Sequence, residues 1–412
     1  MHTIRPYNKE VDYDAAVRIW REVGWFDGSP EQQEAIGTII ETARANVAEL
    51  AGAAECLVLT RPGIFRYLEE DLPASIVADV TTSRVARKQG LASRTTAISV
   101  AQDASEGALV STLGMFDQGY YNQIGFGTGS YELWVAFDPA QLKVSARPRA
   151  PRRLTKDDAE AVHALRLARL RTHGAVSIPS PAVTLAEMTF SRNGFGLGYR
   201  DGPGGALSHC LWCGAENVGR GPYQVHFLAY QTGEQFLELM ALLKSLGDQV
   251  RLVRMVEPPG VQMQSLMVQP FKQRQLTEKG PFETGIRAVA WWQIRICDLP
   301  GCLARTHLTA GPLRFNLRLG DPIERYLPAD APWRGVAGDY VVELGPSSGA
   351  ERGTDPSLPT LTATVNAFTR LWIGVAPATG LAVTDELTGP PELLEALDRV
   401  LNLPTPLPDW RY

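Results

Sequence analysis

The chain has 412 residues, 44% of them hydrophobic and 21% charged, with a formal net charge of −5. That length and apolar fraction suit a globular protein of two to four domains with ample core. The acidic balance excludes nucleic acid as the main partner, because phosphate backbones are gripped by clustered basic surface.

No run of about 20 apolar residues is present, so no membrane span is expected. The opening residues Met1, His2, Thr3, Ile4 and Arg5 lack the apolar core of a secretory signal. Five cysteines, an odd count in so long a chain, suit a reducing cytosol. A cytoplasmic location is expected.

The stretch DYDAAVRIWREV places Val17, Trp20 and Val23 at helical spacing behind acidic residues suited to a helix start. EQQEAIGTIIETARANV repeats the pattern through Ile36, Ile40, Ala43 and Val47, which predicts a second helix. AECLVLT and SIVADVTT read as strands, GLASRTTAISVAQDA as a helix from Gly90, and ALVSTL and YELWVAF as further strands. Strands alternating with helices indicate an α/β layer architecture, and this first segment is taken as residues 1–145.

SARPRAPRRLTKDD, rich in proline and arginine, reads as a linker. Thr155 and Asp158 then form a capping-box pattern opening AEAVHALRLARL. Asp157, Ala161, Val162 and Leu165 repeat the spacing of Asp12, Ala16, Val17 and Trp20, a faint internal repeat that implies two related domains in tandem. Cys210 and Cys213 make a CxxC beside His209, but only the distant Cys297 and Cys302 offer more ligands, so the pair reads as strand cysteines and no metal is expected. VHFLAYQTGEQFLELMALL is a strand running into a helix within the second segment, residues 146–290. The third segment, residues 291–412, opens with WWQIRICDLPGCLA and continues through PLRFNLRLGD, GDYVVELG, LTATVNAFTRLWIGV and ELLEALDRVL, an α+β pattern with GPSSGAERGTDPSLP as a flexible loop.

RKQGLA, residues 87–92, lies between a predicted strand and a predicted helix. A helix start leaves amide donors unpaired and carries partial positive charge. Glycine lets a ligand approach the backbone, and Arg87 and Lys88 add full charges. Such a turn suits a pyrophosphate. It is neither a complete Walker loop nor a complete dinucleotide fingerprint.

About 30 residues on, GYYNQIGFG follows the strand ALVSTL. With RKQGLA this resembles the GCN5-related N-acetyltransferases. Over the whole chain the resemblance is to their enhanced intracellular survival branch, and the pieces WQIRICDLPGCLA and GDYVVELG add to it. The resemblance implies two tandem acetyltransferase-fold domains, the first catalytic at 1–145 and the second degenerate at 146–290. A sterol-carrier-protein-like α+β domain would occupy 291–412. It implies acetyl-CoA as co-substrate, with Arg87, Lys88, Gly90 and Ala92 on the pyrophosphate and Val80 and Thr82 on the pantetheine arm. Tyr121 would be the general acid and the carboxylate of Tyr412 the general base, with Trp25 and Asp27 bordering the acceptor cleft. The acceptor is expected to be a primary amine, on a small molecule such as an aminoglycoside or on lysine, and the chain a homo-oligomer, as in a hexamer. Phe116, Arg84 and Asn122 depart from the family pattern, which bears on acceptor choice. The alternative is a non-catalytic acetyl-CoA- or lipid-binding protein.

Overall fold

The computed structural model describes residues 3–25 and 28–412. Among these, the strands form three sheets, and no helix is long and apolar enough to cross a membrane. The architecture is the expected mixed α/β layering.

The first sheet runs Thr3–Pro6, Arg44–Leu50, Ala53–Tyr67, Glu70–Thr82, Val110–Gly114, Trp292–Ile296 and Gly127–Thr128, with Val176–Ser177 added to Ala53–Tyr67. Its long strand Ala53–Tyr67 is buried on both faces, which is why AECLVLT reads as a nearly unbroken apolar run. Leu57 and Leu59 pack with Ala16, Ile19, Trp20, Ile36 and Ile40 of helices Lys9–Glu22 and Pro30–Glu41. Cys56 and Val58 turn the other way, onto Ala97 and Val100 of helix Leu91–Ser105. The alternation follows from the two-residue period of a strand.

Both opening helices are capped as their sequences suggest. The Asn8 side chain accepts the amide of Glu10, and Ser29 accepts that of Gln32 ahead of Pro30. The second helix stops at Glu41, however, instead of continuing to Val47. Val47 lies in strand Arg44–Leu50, 1% exposed, paired with Leu57. Residues spaced by four satisfy both a helix and an alternating strand, and here the ladder to Ala53–Tyr67 decides.

The second sheet has the same plan, in the order Arg152–Leu154, Phe195–Tyr199, His209–Ala215, Tyr223–Ala229, Val253–Val256, Glu132–Phe137 and Gly285–Val289. In each sheet the fourth and fifth strands are parallel and the others run antiparallel. The capping box is present, with Thr155 and Asp158 bonding reciprocally before helix Ala159–Ala168. Part of the supposed linker is strand Arg152–Leu154, and Cys210 and Cys213 are buried, unbridged strand residues.

The two sheets exchange a strand. YELWVAF, which closes the first segment in sequence, pairs as Glu132–Phe137 with Val253–Val256 in the second sheet. Trp292–Ile296, which opens the third segment, pairs with Val110–Gly114 in the first. Each sheet thus takes the strand beside its fifth from across the linear segment boundaries. An apolar pattern specifies a strand but not its neighbour, so the exchange is invisible to periodicity.

The third sheet runs Gly349–Arg352, Gly338–Leu344, Leu313–Gly320, Thr360–Thr364 and Leu387–Thr388. The expected flexible loop GPSSGAERGTDPSLP contributes its edge strand Gly349–Arg352. Helix Val365–Trp372 packs this part onto the first sheet, and one continuous core holds Phe65, Tyr67 and Trp292 together with Phe315, Phe368 and Trp372.

Glu132 begins the exchanged strand and is 3% exposed. Burial pushes its carboxyl up to about 7, against the pull of the Arg411 guanidinium. An unfolded glutamate titrates near about 4.3, so the folded state binds the proton more tightly. The stability from this linkage is complete at low pH and is lost as pH rises through about 7. The difference in Tm, Glu132→Gln minus wild type, should therefore become more positive from about pH 5 to about pH 8.5 in thermal melts. A difference that stays flat would show that Glu132 does not titrate there.

Candidate active site

The parallel pairing of Glu70–Thr82 with Val110–Gly114 covers Ala74 to Val77 against Val110 to Leu113, then stops. Two residues on, Asp79 takes a positive φ of 54°, where the register toward the other neighbour shifts between Leu57 and Leu59. A non-glycine residue there needs local support, and Arg61, buried, donates to the Asp79 carboxylate at 3.0 Å. Past this bulge the two strands part, and Ala78–Val80 and Gly114–Phe116 face each other across a cavity of about 280 Å³.

At the exit of the first of these strands the chain turns into helix Leu91–Ser105. Lys88 has φ 60° and Gly90 has φ 74°, and no side chain caps the helix. Its first amides are therefore free to face a ligand. Arg87 and Lys88 are exposed, and among the described residues neither has an ion-pair partner. Arg84 ties the turn to the first helix. Its amide donates to the Glu22 carboxylate at 2.9 Å and its guanidinium to the Glu22 carbonyl at 3.1 Å. A cavity of about 510 Å³ lies against this turn, lined by Val80, Thr82, Arg87, Lys88, Gly90 and Ala92. Trp25, Val80 and Phe116 line both cavities, so the two are adjoining parts of one cleft.

Tyr121 and Tyr412 line the smaller cavity. Tyr121 opens the short turn Tyr121–Ile124 and packs edge-on against Tyr120, ring centres 4.8 Å apart. Its hydroxyl has no hydrogen-bond partner among the described residues. Burial, with Tyr120 and Cys56 nearby, pushes its phenol well above the ordinary value, so it holds its proton throughout the neutral range. The turn is held from three directions. Gln293 donates to the Asn122 side chain at 3.0 Å, Asn366 donates to the Asn122 and Phe126 carbonyls at 2.9 Å each, and Arg295 donates to the Ile124 carbonyl. Arg295 is itself paired with buried Asp321 at 2.6 Å. Gly125, at φ 91°, leaves room for it, since a Cβ there would stand 2.6 Å from the guanidinium.

Tyr412 reaches the cleft from the far end of the chain. The Thr112 hydroxyl donates to the Gln293 carbonyl at 2.9 Å, which leaves its oxygen to accept from the Tyr412 phenol at 2.6 Å. The terminal backbone comes so close to Gly114 that a Cβ there would lie 3.0 Å from the Tyr412 oxygen. Trp25 stands at the rim, 44% exposed, edge-on to Trp20 at 6.1 Å. Asp27 lies outside the described residues.

Other lining residues escaped the sequence reading. Tyr120 accepts from the Ser93 hydroxyl at 3.1 Å and lines the larger cavity. Trp291 walls the smaller one, 5.6 Å from the Tyr412 ring. Its only sequence signal is the WW pair ahead of the exchanged strand. Phe116, noted only as a departure from the family, is 76% exposed and spans both cavities.

The chain matches no protein-family model and no curated protein. Among solved structures it is similar over its full length, and theirs, to a probable N-acyltransferase of Enterococcus faecalis described as a conserved protein of unknown function, at TM-score 0.78 and 15% identity. Eis1 from Mycobacterium abscessus matches at TM-score 0.76 and 14% identity, again with both chains fully covered. A GCN5-related N-acetyltransferase from Kribbella flavida matches at 0.72 and 16%, also over both whole chains. The fold is that of the GCN5-related N-acetyltransferases. Such identities carry the fold alone, and the two sheets of matching strand order are its tandem lobes.

The turn at Arg87–Ala92 has the means to hold an anion, and among the described residues no side chain supplies one. Replacing Arg87 and Lys88 together by Gln should raise the Kd for coenzyme A by about tenfold or more, since a charge-assisted bond contributes about 1.5–3 kcal/mol. Calorimetric titration reads this, and an unchanged Kd would detach the turn from binding.

Proposed function

We propose that the protein is an acetyl-CoA-dependent N-acetyltransferase, acting on a primary amine by direct attack on the thioester. The observation that carries this reading is the joined cleft, with an anion-holding helix start at one end and a buried phenol at the other. The open strand edges between them suit an extended ligand. Backbone groups of Ala78–Val80 on the side past the last pair with Val110–Gly114 match the amides of a pantetheine arm. The free amides at Gly90–Ala92, with Arg87 and Lys88, match a pyrophosphate. Acetyl-CoA would then lie with its acyl carbon toward Tyr121.

In the reaction the amine nitrogen bonds to the thioester carbonyl carbon and the carbon–sulfur bond breaks. An alkyl ammonium has a pKa of about 10.4 and must first lose a proton. We assign that proton to the carboxylate of Tyr412, which lines the same cavity and also anchors the ammonium by its charge. The leaving thiolate takes the Tyr121 proton, the second proton of the attacking nitrogen passes to the resulting phenolate as the amide forms, and solvent takes the proton held by the Tyr412 carboxylate. Trp25 offers an indole face at the rim, where a cation gains about 0.5–2 kcal/mol. Asp27 is proposed to stand with it at the acceptor entrance. We extend the reading to a sterol-carrier-like third part, supported by its five-stranded sheet with covering helices, and to a cytoplasmic homo-oligomer.

Free-thiol release from acetyl-CoA over a panel of polyamines, aminoglycosides and lysine peptides tests the activity. Release no faster than background, with acetyl-CoA bound, would favour the non-catalytic alternative. Tyr121→Phe should keep acetyl-CoA affinity and lower kcat by roughly a hundredfold. Because burial raises the phenol, the rate should climb with pH without an alkaline fall before about pH 10. A falling limb near pH 8 would assign the acid to another group. A few residues added beyond Tyr412 should suppress turnover and leave acetyl-CoA binding intact.

A further inference from the structure

The second lobe repeats the parting strands of the first. Tyr223–Ala229 and Val253–Val256 pair only at Tyr223 with Val253 and Gln224 with Arg254, and then separate. Yet this second opening cannot take what the first is shaped for. The helix that follows, Gly233–Ser245, is closed by its own capping box, in which Thr232 accepts the Gln235 amide and the Gln235 side chain accepts the amides of Gln231 and Thr232. The space left between the strands is about 90 Å³, against about 280 Å³ between the corresponding strands of the first lobe.

What fills it is the end of the chain. Asp409, Trp410 and Arg411 line the opening opposite Val225, Phe227 and Met255. Trp410, 2% exposed, has the Arg166 guanidinium 3.9 Å from its ring centre, and its indole donates to the Glu187 carboxylate at 3.2 Å. Arg166 is paired with the same Glu187 at 3.0 Å. Arg169 forks onto Asp409 at 2.9 and 2.5 Å. Upstream, the Leu407 amide donates to the His173 carbonyl at 3.1 Å, and the Val176 amide to the Pro408 carbonyl at 2.8 Å. Gly174, at φ 89°, is required there, because a Cβ would come 2.3 Å from the Leu407 nitrogen. A chain end is mobile unless tied down, and this one is tied by buried, charge-assisted, two-point bonds.

We propose that the strand opening of the second lobe is a receptor for the protein's own terminus, with Arg166 and Arg169 as positioning residues that act through Trp410 and Asp409 to hold Tyr412 in the first lobe's cleft. The catalytic consequence rests on the proposed role of the Tyr412 carboxylate. The receptor itself does not. Continuity makes the coupling short. Trp410 sits in the second opening, Arg411 stacks 4.2 Å from the Trp134 ring on the exchanged strand, and Tyr412 lies in the first opening. A lobe that has lost its own cofactor turn thereby supplies the geometry of the neighbouring site.

The test uses the full-length protein with Trp410→Ala and, separately, Asp409→Asn, which keeps size and removes the charge facing Arg169. Release of tyrosine by carboxypeptidase A reads the terminus, thiol release reads turnover, and calorimetry reads acetyl-CoA binding. The expected result is terminal tyrosine released about tenfold faster, kcat lowered by about tenfold or more, and acetyl-CoA Kd within about twofold of wild type. Trp410→Phe, keeping a ring over Arg166, should recover much of the loss. Equal tyrosine release from wild type and both variants would overturn the receptor. Faster release with unchanged turnover would uphold the receptor and remove the carboxylate from the chemistry, separating the two claims. Where Trp410→Ala fails to fold, Asp409→Asn carries the comparison.

Discussion

The site depends on a failure of pairing. Two parallel strands hydrogen-bond from Ala74 to Val77 and then let go, because Asp79 adopts a left-handed backbone that the buried Arg61 holds in place. Backbone donors and acceptors normally have partners. Here several are left for a ligand to satisfy, in the wall of a cleft that also meets a helix start. Removing the bulge would let the ladder continue and close the cleft. The helix adds its free amides, and the turn before it adds Arg87 and Lys88, so groups of three kinds converge on one cleft.

The remaining architecture keeps that opening rigid. The Tyr121 turn is short and glycine-rich, and local sequence alone would leave it soft. It is fixed by side chains from far along the chain, Gln293 and Arg295 on the exchanged strand and Asn366 on a helix of the third part. The Arg295–Asp321 pair is fully buried, an arrangement that costs desolvation and is retained where it fixes geometry. The third part is therefore structural support for the phenol, whatever else it does.

What the sequence reveals follows the range of the interaction. RKQGLA is legible because a helix start, a left-handed glycine and two cations are local features, and the turn carries all three. The capping box at Thr155 is legible for the same reason. Tyr121 is suggested only by family resemblance, since nothing local separates it from Tyr120. Trp291 and the strand exchange are illegible, because they depend on which of several equivalent apolar strands pair, and that is settled by tertiary packing. The overrun of the second helix past Glu41 has the same origin: Val47 fits either period, and its partner Leu57 decides.

The exchange of strands also sets a schedule. During synthesis the first sheet lacks its sixth member until Trp292–Ile296 leaves the ribosome, while Glu132–Phe137 has long been waiting for a partner at Val253–Val256. Neither lobe can finish alone, so the nascent chain carries an incomplete sheet edge from Gly114 until Trp292–Ile296 has been made. The cleft of the first lobe waits longer still, since Tyr412 walls it from more than a hundred residues beyond that strand.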